Sequence, residues 1–473
     1  MSSSTPRQKQ FFVLFLIALM PAIKALEPCL DWDTWWHLRV GQWIVQEQRL
    51  PTHDPFSQLG REVQVPWIAY SWLYELVMYG SHRAGGDAGV LVFRYVLYLT
   101  AFGGIAWFFL RHASNRWLGL GVLALATVSL MPFSSERPWH VTIFFTTLTL
   151  HAVLRLRDGA PLTRFLALPL LYVLWANIHI QFVMGFALLG FGWIATLLDR
   201  GPGARNIFIL GALCTFATMV NPFHVRLFVV VWEYATQTKA LTLVQELQPP
   251  NPREWYNWPM LILFGLGAIA TLRRGCRLWD VILLASAAVF GLRMQRDLWY
   301  AVLVAGTVVI RSRSPGNEKP IAWWQIALVL IAATILSRGL WEAGLSKGKT
   351  IETSHAETYP VAAAAWVKEN HPPGPLFNDF DWGGYLIWAL PEYPVSMDGR
   401  TNLYGEARLI RSFNAWSGEP DWETHPDLLR AGVIIAPKKR GDKEFPLTEL
   451  LRNPDGPWKI VFEDKTAVVF VRK

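Results

Sequence analysis

Charge is scarce in this chain: Asp, Glu, Lys and Arg make up 17% of its 473 residues, against about 25% in a typical soluble domain. Hydrophobic residues make up 52%, and they arrive in repeated long runs. One large water-soluble core does not need that distribution; a chain solvated by lipid does. Cysteine is scarcer still. Cys29, Cys214 and Cys276 lie too far apart for a metal-ligand spacing and are too few for a disulfide framework. Glu27 and Pro28, ahead of Cys29, are a poor match to the small residues of a lipoprotein-processing site. The sequence has no Gly-rich phosphate loop with its Lys, no HExxH, no GxSxG and no selectivity-filter-like repeat, which argues against an ATP-driven pump or a zinc protease. Internal repeats of the kind many transporters carry are missing as well.

What is present is a ladder of apolar runs. The first, 11–26, follows a polar tail with Arg7 and Lys9. It has no small-x-small cleavage site and Lys24 interrupts its end, so it reads as a retained helix rather than a cleaved signal peptide. Further spans are expected at 88–110, 118–132, 139–155, 163–176, 180–198, 206–220, 257–272, 278–292, 298–311 and 321–337. Several fall short of the usual ~20 residues and must borrow flanking aromatic or polar residues. The net charge of +8 fits this ladder. With the N-terminus inside, the inner connections hold Arg111 and Arg116; Arg155, Arg157 and Arg164; Arg200 and Arg205; Arg273, Arg274 and Arg277; and Arg311, Arg313 and Lys319. The short outer links are poorer in cations. That is the positive-inside pattern, and it predicts about 11 membrane helices with a cytoplasmic N-terminus and no nucleic-acid partner.

Two outer loops are long. Loop 27–87 carries DWDTWWHLRVGQWIVQE, LPTHDPFS and PWIAYSWLYELVMY. Apolar residues at helical spacing predict interfacial helices at 34–48 and 66–80, broken apart around Pro51, Asp54 and Pro55. Loop 221–256 opens with NPFH and continues through a half-polar helix. After residue 337 the pattern changes. Residues 359–370 suggest a surface helix, PLFND, PVSMDG, GVIIAP and the pair WKIVFED/TAVVFVRK suggest strands, and helices are expected around 383–390 and 404–413. The expected organisation is a membrane domain over 1–337, including both outer loops, and an extracytoplasmic α/β domain over 338–473.

The polar residues gather on the outer side. Asp31 and Asp33 follow the first helix; two apart in an extended segment, they point the same way and suit general-base work or a divalent metal. The alternative is that they cap the next helix. Trp35 and His37 sit beside them, with Asp54 further on as a second polar or turn residue. Arg137 and His140, then His179, then Asn221 and His224, then Arg293, Arg296 and Asp297 occupy successive outer links. Ionisable groups at that depth usually line a cavity, although any one of them alone is an ordinary loop residue. A pocket built from Arg137, Arg293 or Arg296 suits a phosphate or pyrophosphate.

The opening DWDTWWHLRVGQWI…LPTHDPFS…YSWLYE resembles the GT-C superfamily of membrane glycosyltransferases, in particular a bacterial group related to its mannosyltransferase and oligosaccharyltransferase branches. The resemblance extends to NPFH at 221–224, RD at 296–297 and LFNDFDWGGYLIW…SMDGRTNLYG at 376–405. It implies a GT-C-like polytopic α-helical fold in a bacterial inner membrane and inverting sugar transfer from a polyprenyl-phosphate-linked donor to an envelope glycan, lipid or protein acceptor. Asp31 becomes the catalytic base and Asp33 its partner or the ligand of a divalent cation, Mg or Mn; many members use no metal. DWGGY at 381–385 is similar to an acceptor-recognition signature of oligosaccharyltransferases but lacks its tandem Trp, so Asp381, Asp398 and Arg400 either contact an acceptor or shape turns. Two alternatives remain open: a lipid-linked glycan ligase or polymerase, depending more on Arg and His than on Asp31, and a transporter or flippase.

Overall fold

The computed structural model describes residues 6–236, 244–312, 321–439 and 443–473. Arg313 and Lys319 of the last inner connection, and 237–243 of the second outer loop, lie outside the described residues. The chain forms two compact units. One comprises Met1–Glu27, Leu91–Val231 and Val244–Lys347; the other comprises Pro28–Val90, Trp232–Leu243 and Gly348–Lys473. Most of loop 27–87 clusters with the C-terminal residues in the second unit.

The first unit is a polytopic α-helical membrane architecture, and each of the expected spans coincides with a helix. By length and composition, Trp72–His112, Arg116–Phe133, Trp255–Arg273 and Trp323–Leu345 are long and apolar enough to cross a membrane. Leu162–Ile178, Phe182–Leu198, Ala204–Ala217 and Leu278–Gly291 are shorter apolar helices. Leu298–Ile310 is buried at every position, as befits an all-round apolar helix at the centre of a bundle. Trp323–Leu340 buries only Ile326, Ala333 and Ser337 and turns most of its apolar surface outward. Arg94, which a bare lipid setting would not tolerate, pairs with Glu136 at 3.3 Å and donates to the carbonyls of Ala25 and Glu27.

In the second unit, Thr34–Glu47 forms the first of the two helices expected in loop 27–87. The second starts at Trp72 and is set apart from the following span by non-helical backbone at Gly85 and Gly86; Gly86 sits at φ 60°, ψ −149°, a conformation essentially reserved for glycine. The sheet has the order β1-β2-β4-β3, with β1 Leu376–Asn378, β2 Val433–Pro437, β3 Trp458–Glu463 and β4 Ala467–Arg472. β1 and β2 are parallel; the other pairs are antiparallel. β2, Val-Ile-Ile-Ala-Pro, is buried throughout, and its neighbours Phe377, Trp416, Phe445, Trp458 and Phe470 complete the core. PVSMDG, expected as a strand, is not one. Pro394 lacks an N–H for a ladder, and the Asn378 side chain takes over. It accepts from Ser396 N at 2.9 Å and donates to Met397 O at 2.9 Å.

Candidate functional site

The DWD turn belongs to the second unit. Asp31 Oδ1 accepts from the Asp33 backbone N–H at 3.0 Å, which fixes the turn. Asp33 stands at the N-cap of Thr34–Glu47, yet its side chain makes no capping hydrogen bond. Both acids are partly exposed.

The surroundings hold the turn closely. Tyr359 Oη donates to Leu30 O at 2.7 Å. A Cβ on Gly399 would lie 2.3 Å from Asp33 Oδ1, and one on Gly384 would lie 2.7 Å from Trp32 O. The two glycine-bearing motifs, DWGGY and SMDGR, thus close directly on DWD. Trp35 is buried, its ring edge-on to His355, Tyr359 and Tyr385 at 5.1–5.4 Å. His37 stacks on Trp36 at 3.6 Å and places Nδ1 3.3 Å from Oε1 of the buried Glu75. Trp35 and His37 therefore support the turn from beneath.

Asp54 and Arg400, 346 residues apart, form a buried ion pair at 2.8 Å. Arg400 also makes a fork onto Asp398, with Nε to Oδ1 at 2.9 Å and Nη2 to Oδ2 at 2.7 Å, and lies over the rings of Trp67 and Phe56. Tyr404 donates to Asp398 at 2.5 Å. Burial alone would raise the Asp54 carboxyl, but Arg400, Ser57 and the Phe56 N–H hold it below the ordinary value. Burial would likewise lower Arg400, and the two carboxylates outweigh it and raise its pKa further. Arg400 thus neutralises a buried acid pair, and Gly399 carries that network to Asp33. Asp381 pairs at the surface with Lys443 at 3.2 Å; in DWGGY it is the glycines that reach the DWD turn.

In the helical unit a second cluster forms. Arg137 Nη1 meets Glu246 Oε2 at 2.9 Å, and Arg296 Nη1 faces the other oxygen of the same carboxylate at 3.7 Å. Asp297 is buried and accepts from Gln181 Nε2 at 2.7 Å. Burial pushes its carboxyl up to about 6, while Arg296, Arg293 and the Gln181 amide pull it back. The turns carrying Glu246 and Asp297 are tied by the Gln295 N–H to Gln248 O at 2.8 Å. His179 and His140 are buried beside other groups. The Thr142 hydroxyl accepts from Trp175 Nε1 at 2.8 Å and shares a hydrogen bond of 2.7 Å with His179 Nδ1. His140 Nε2 donates to Phe133 O at 2.6 Å. Asn221 and His224 hold their own turn, with Asn221 accepting from Phe223 N at 2.7 Å and His224 Nδ1 donating to Met219 O at 3.1 Å.

The expected residues thus fall into two groups. Asp31, Asp33, Trp35, His37, Asp54, Asp381 and Arg400 belong to the second unit; Arg137, His140, His179, Asn221, His224, Arg293, Arg296 and Asp297 belong to the helical unit. Sequence reasoning did not single out Glu246, Glu75, Gly399 or Gly384. Glu246 meets Arg137 across 109 residues, and no local pattern announces such a pair. The glycines did carry a signal, since GG and DG mark close approach or turns. Among the described residues, no group of three or more His, Cys, Asp or Glu is placed to hold a metal ion. A divalent cation at Asp33 would have Asp31 and Asp33 as its acidic ligands and would draw the rest from substrate or water.

No family model matches the chain, and no curated protein matches it. Among solved structures it is similar to ArnT from Cupriavidus metallidurans bound to undecaprenyl phosphate, with 14% identity, a TM-score of 0.49, and 99% of this chain and 98% of that one covered. The apo structure of the same protein gives 14% identity and a TM-score of 0.49, covering 98% of each chain. At that identity and TM-score the likeness concerns overall fold and reaches no residue's role and no substrate.

Proposed function

We propose that this chain is a membrane glycosyltransferase that moves a sugar, with inversion, from a polyprenyl-phosphate-linked donor to an envelope glycan, lipid or protein acceptor on the outer face of a bacterial inner membrane. The observation that carries this reading is the DWD turn: two partly exposed carboxylates, clamped by the other motifs on which the GT-C resemblance rests. Asp31 takes the proton of the acceptor hydroxyl as its oxygen attacks the anomeric carbon. The bond from that carbon to the phosphate oxygen breaks, and its electron pair leaves on the lipid phosphate. Within the helical unit, Arg137, Arg293 and Arg296 form a cationic cluster suited to a lipid phosphate. Asp33 orients Asp31 or, where a divalent cation serves, ligates it.

The test is a transfer assay on membranes with candidate polyprenyl-phosphate sugars, run with wild type and Asp31→Asn, each with and without a chelator. Loss of a general base removes about 10²–10⁴-fold of rate, so transfer should vanish while the variant stays folded in the membrane. Unchanged transfer by Asp31→Asn would remove Asp31 from the chemistry. If Arg137→Ala then abolished transfer from a pyrophosphate-linked glycan, the ligase reading would replace this one.

A further inference from the structure

The arginine cluster of the helical unit already holds an anion supplied by the chain itself. Glu246 offers one oxygen to each of two guanidiniums, Oε2 to Arg137 at 2.9 Å and Oε1 to Arg296 at 3.7 Å. Two arginines can flank the oxygens of a phosphate in a similar arrangement, each facing a different oxygen. The acid is the more accessible partner: its side chain is 33% exposed, against 12% for Arg137 and 20% for Arg296. Arg137 is further held over the ring of Trp139 at 5.1 Å. Glu246 stands on the short turn Gln245–Leu247, so moving the acid displaces less structure than moving the arginines.

We propose that Glu246 is a self-ligand of an anion site for the phosphate of a lipid-linked substrate: its carboxylate occupies the position between Arg137 and Arg296 that a phosphate mono- or diester takes, and it leaves when the phosphate arrives. The proposal rests on reading this cluster as phosphate-facing and adds the group that competes there. Three arginines, Arg137, Arg293 and Arg296, stand here against Glu246 and Asp297, and Asp297 is engaged by Gln181. Exchanging Glu246 for a phosphate keeps the cations neutralised throughout. Bound phosphate thereby releases the Glu246 side chain.

A purely structural ion pair predicts the opposite sign in a binding experiment, which makes the two roles separable. The full-length protein in detergent is titrated with farnesyl phosphate and, separately, with inorganic phosphate. Glu246→Gln keeps the shape of the side chain and removes the competing charge; it should bind farnesyl phosphate about tenfold more tightly, the size of effect expected from removing one close charge pair. Glu246→Asp, too short to face both arginines, should give a smaller gain. A gain for both probes assigns the site to the phosphate group itself; a gain for farnesyl phosphate alone assigns it to a lipid headgroup read together with its chain. Arg137→Ala separates the two layers of the argument. If it weakens binding while neither Glu246 variant tightens it, the self-ligand role falls and the phosphate-facing reading stands. If Arg137→Ala changes nothing, both fall.

Discussion

Arg400 shows how far apart in sequence a single buried charge can find its partners. It is almost fully buried, and it is balanced by Asp54 and Asp398 together. Removing one partner from such a cluster leaves an uncompensated charge, which typically costs about 3–5 kcal/mol. Arg400→Met should therefore lower the melting temperature of the detergent-solubilised protein sharply, whereas Lys443→Met, at an exposed ion pair with Asp381, should leave it nearly unchanged. The pH dependence gives a second readout. In the wild type, Asp54 is held below its ordinary value of 3.8, so its contribution to stability is present above that value and is lost as pH falls through the folded one. Without Arg400, the largest influence that lowers Asp54 is gone, while burial, which raises it, remains. The variant should therefore lose less stability than the wild type on acidification, because its Asp54 carboxyl is less strongly held in the charged form. Parallel melting curves over that range, with the same slope in both proteins, would show that Arg400 does not control Asp54.

At the scale of elements, the motifs make sense as pieces of one scaffold. DWGGY and SMDGR are short, yet Gly384 and Gly399 let two separate segments reach the DWD turn more closely than a side chain allows. A Cβ at 399 would press on the Asp33 carboxylate itself. Gly399→Ala should therefore cut transfer by about 10²-fold through a displacement of order 1 Å, and the binding of donor should change far less. Gly80→Ala, where a Cβ meets nothing within 4 Å, is the control and should leave transfer unchanged. Equal losses from both substitutions would show a general effect of helix and loop substitution rather than positioning of Asp33. The sequence made the ladder of helices legible because apolar length and loop charge are local properties. β2 to β4 were legible for the same reason. PVSMDG misled because its alternation is real but its backbone bonds are divided between an isolated bridge, Val395 with Phe56 and Gln58, and the Asn378 side chain, 18 residues from Ser396. The helix expected at 66–80 and the span expected at 88–110 were legible as two because Gly85 and Gly86 interrupt the helical backbone between them. The Asp54–Arg400 and Arg137–Glu246 pairs were illegible as pairs, since nothing in a single sequence couples positions so far apart.

For the whole molecule, the decisive quantity is which side of the membrane each group faces. The positive-inside pattern leads us to propose a cytoplasmic N-terminus, and the lipid-linked donor reading depends on that assignment. On the proposed topology, Arg137, Arg293 and Arg296 fall in outer links, against the trend. Arg137 and Arg296 answer to Glu246, and Arg293 and Arg296 act on Asp297. Cations that break the topological rule while meeting acids serve some purpose other than topology, which is the physical ground for treating them as a site. The orientation is open to direct measurement. Cys29, Cys214 and Cys276 are few enough to remove, and single cysteines can then be introduced at exposed positions. Glu419→Cys, in the second unit, should react with a membrane-impermeant maleimide on intact cells. Arg200→Cys, in an inner connection, should react only after permeabilisation. The reverse pattern would place the DWD turn's unit in the cytoplasm, where outer-face transfer from a polyprenyl-phosphate donor could not use Asp31, and the proposed chemistry would fall with the topology that supports it.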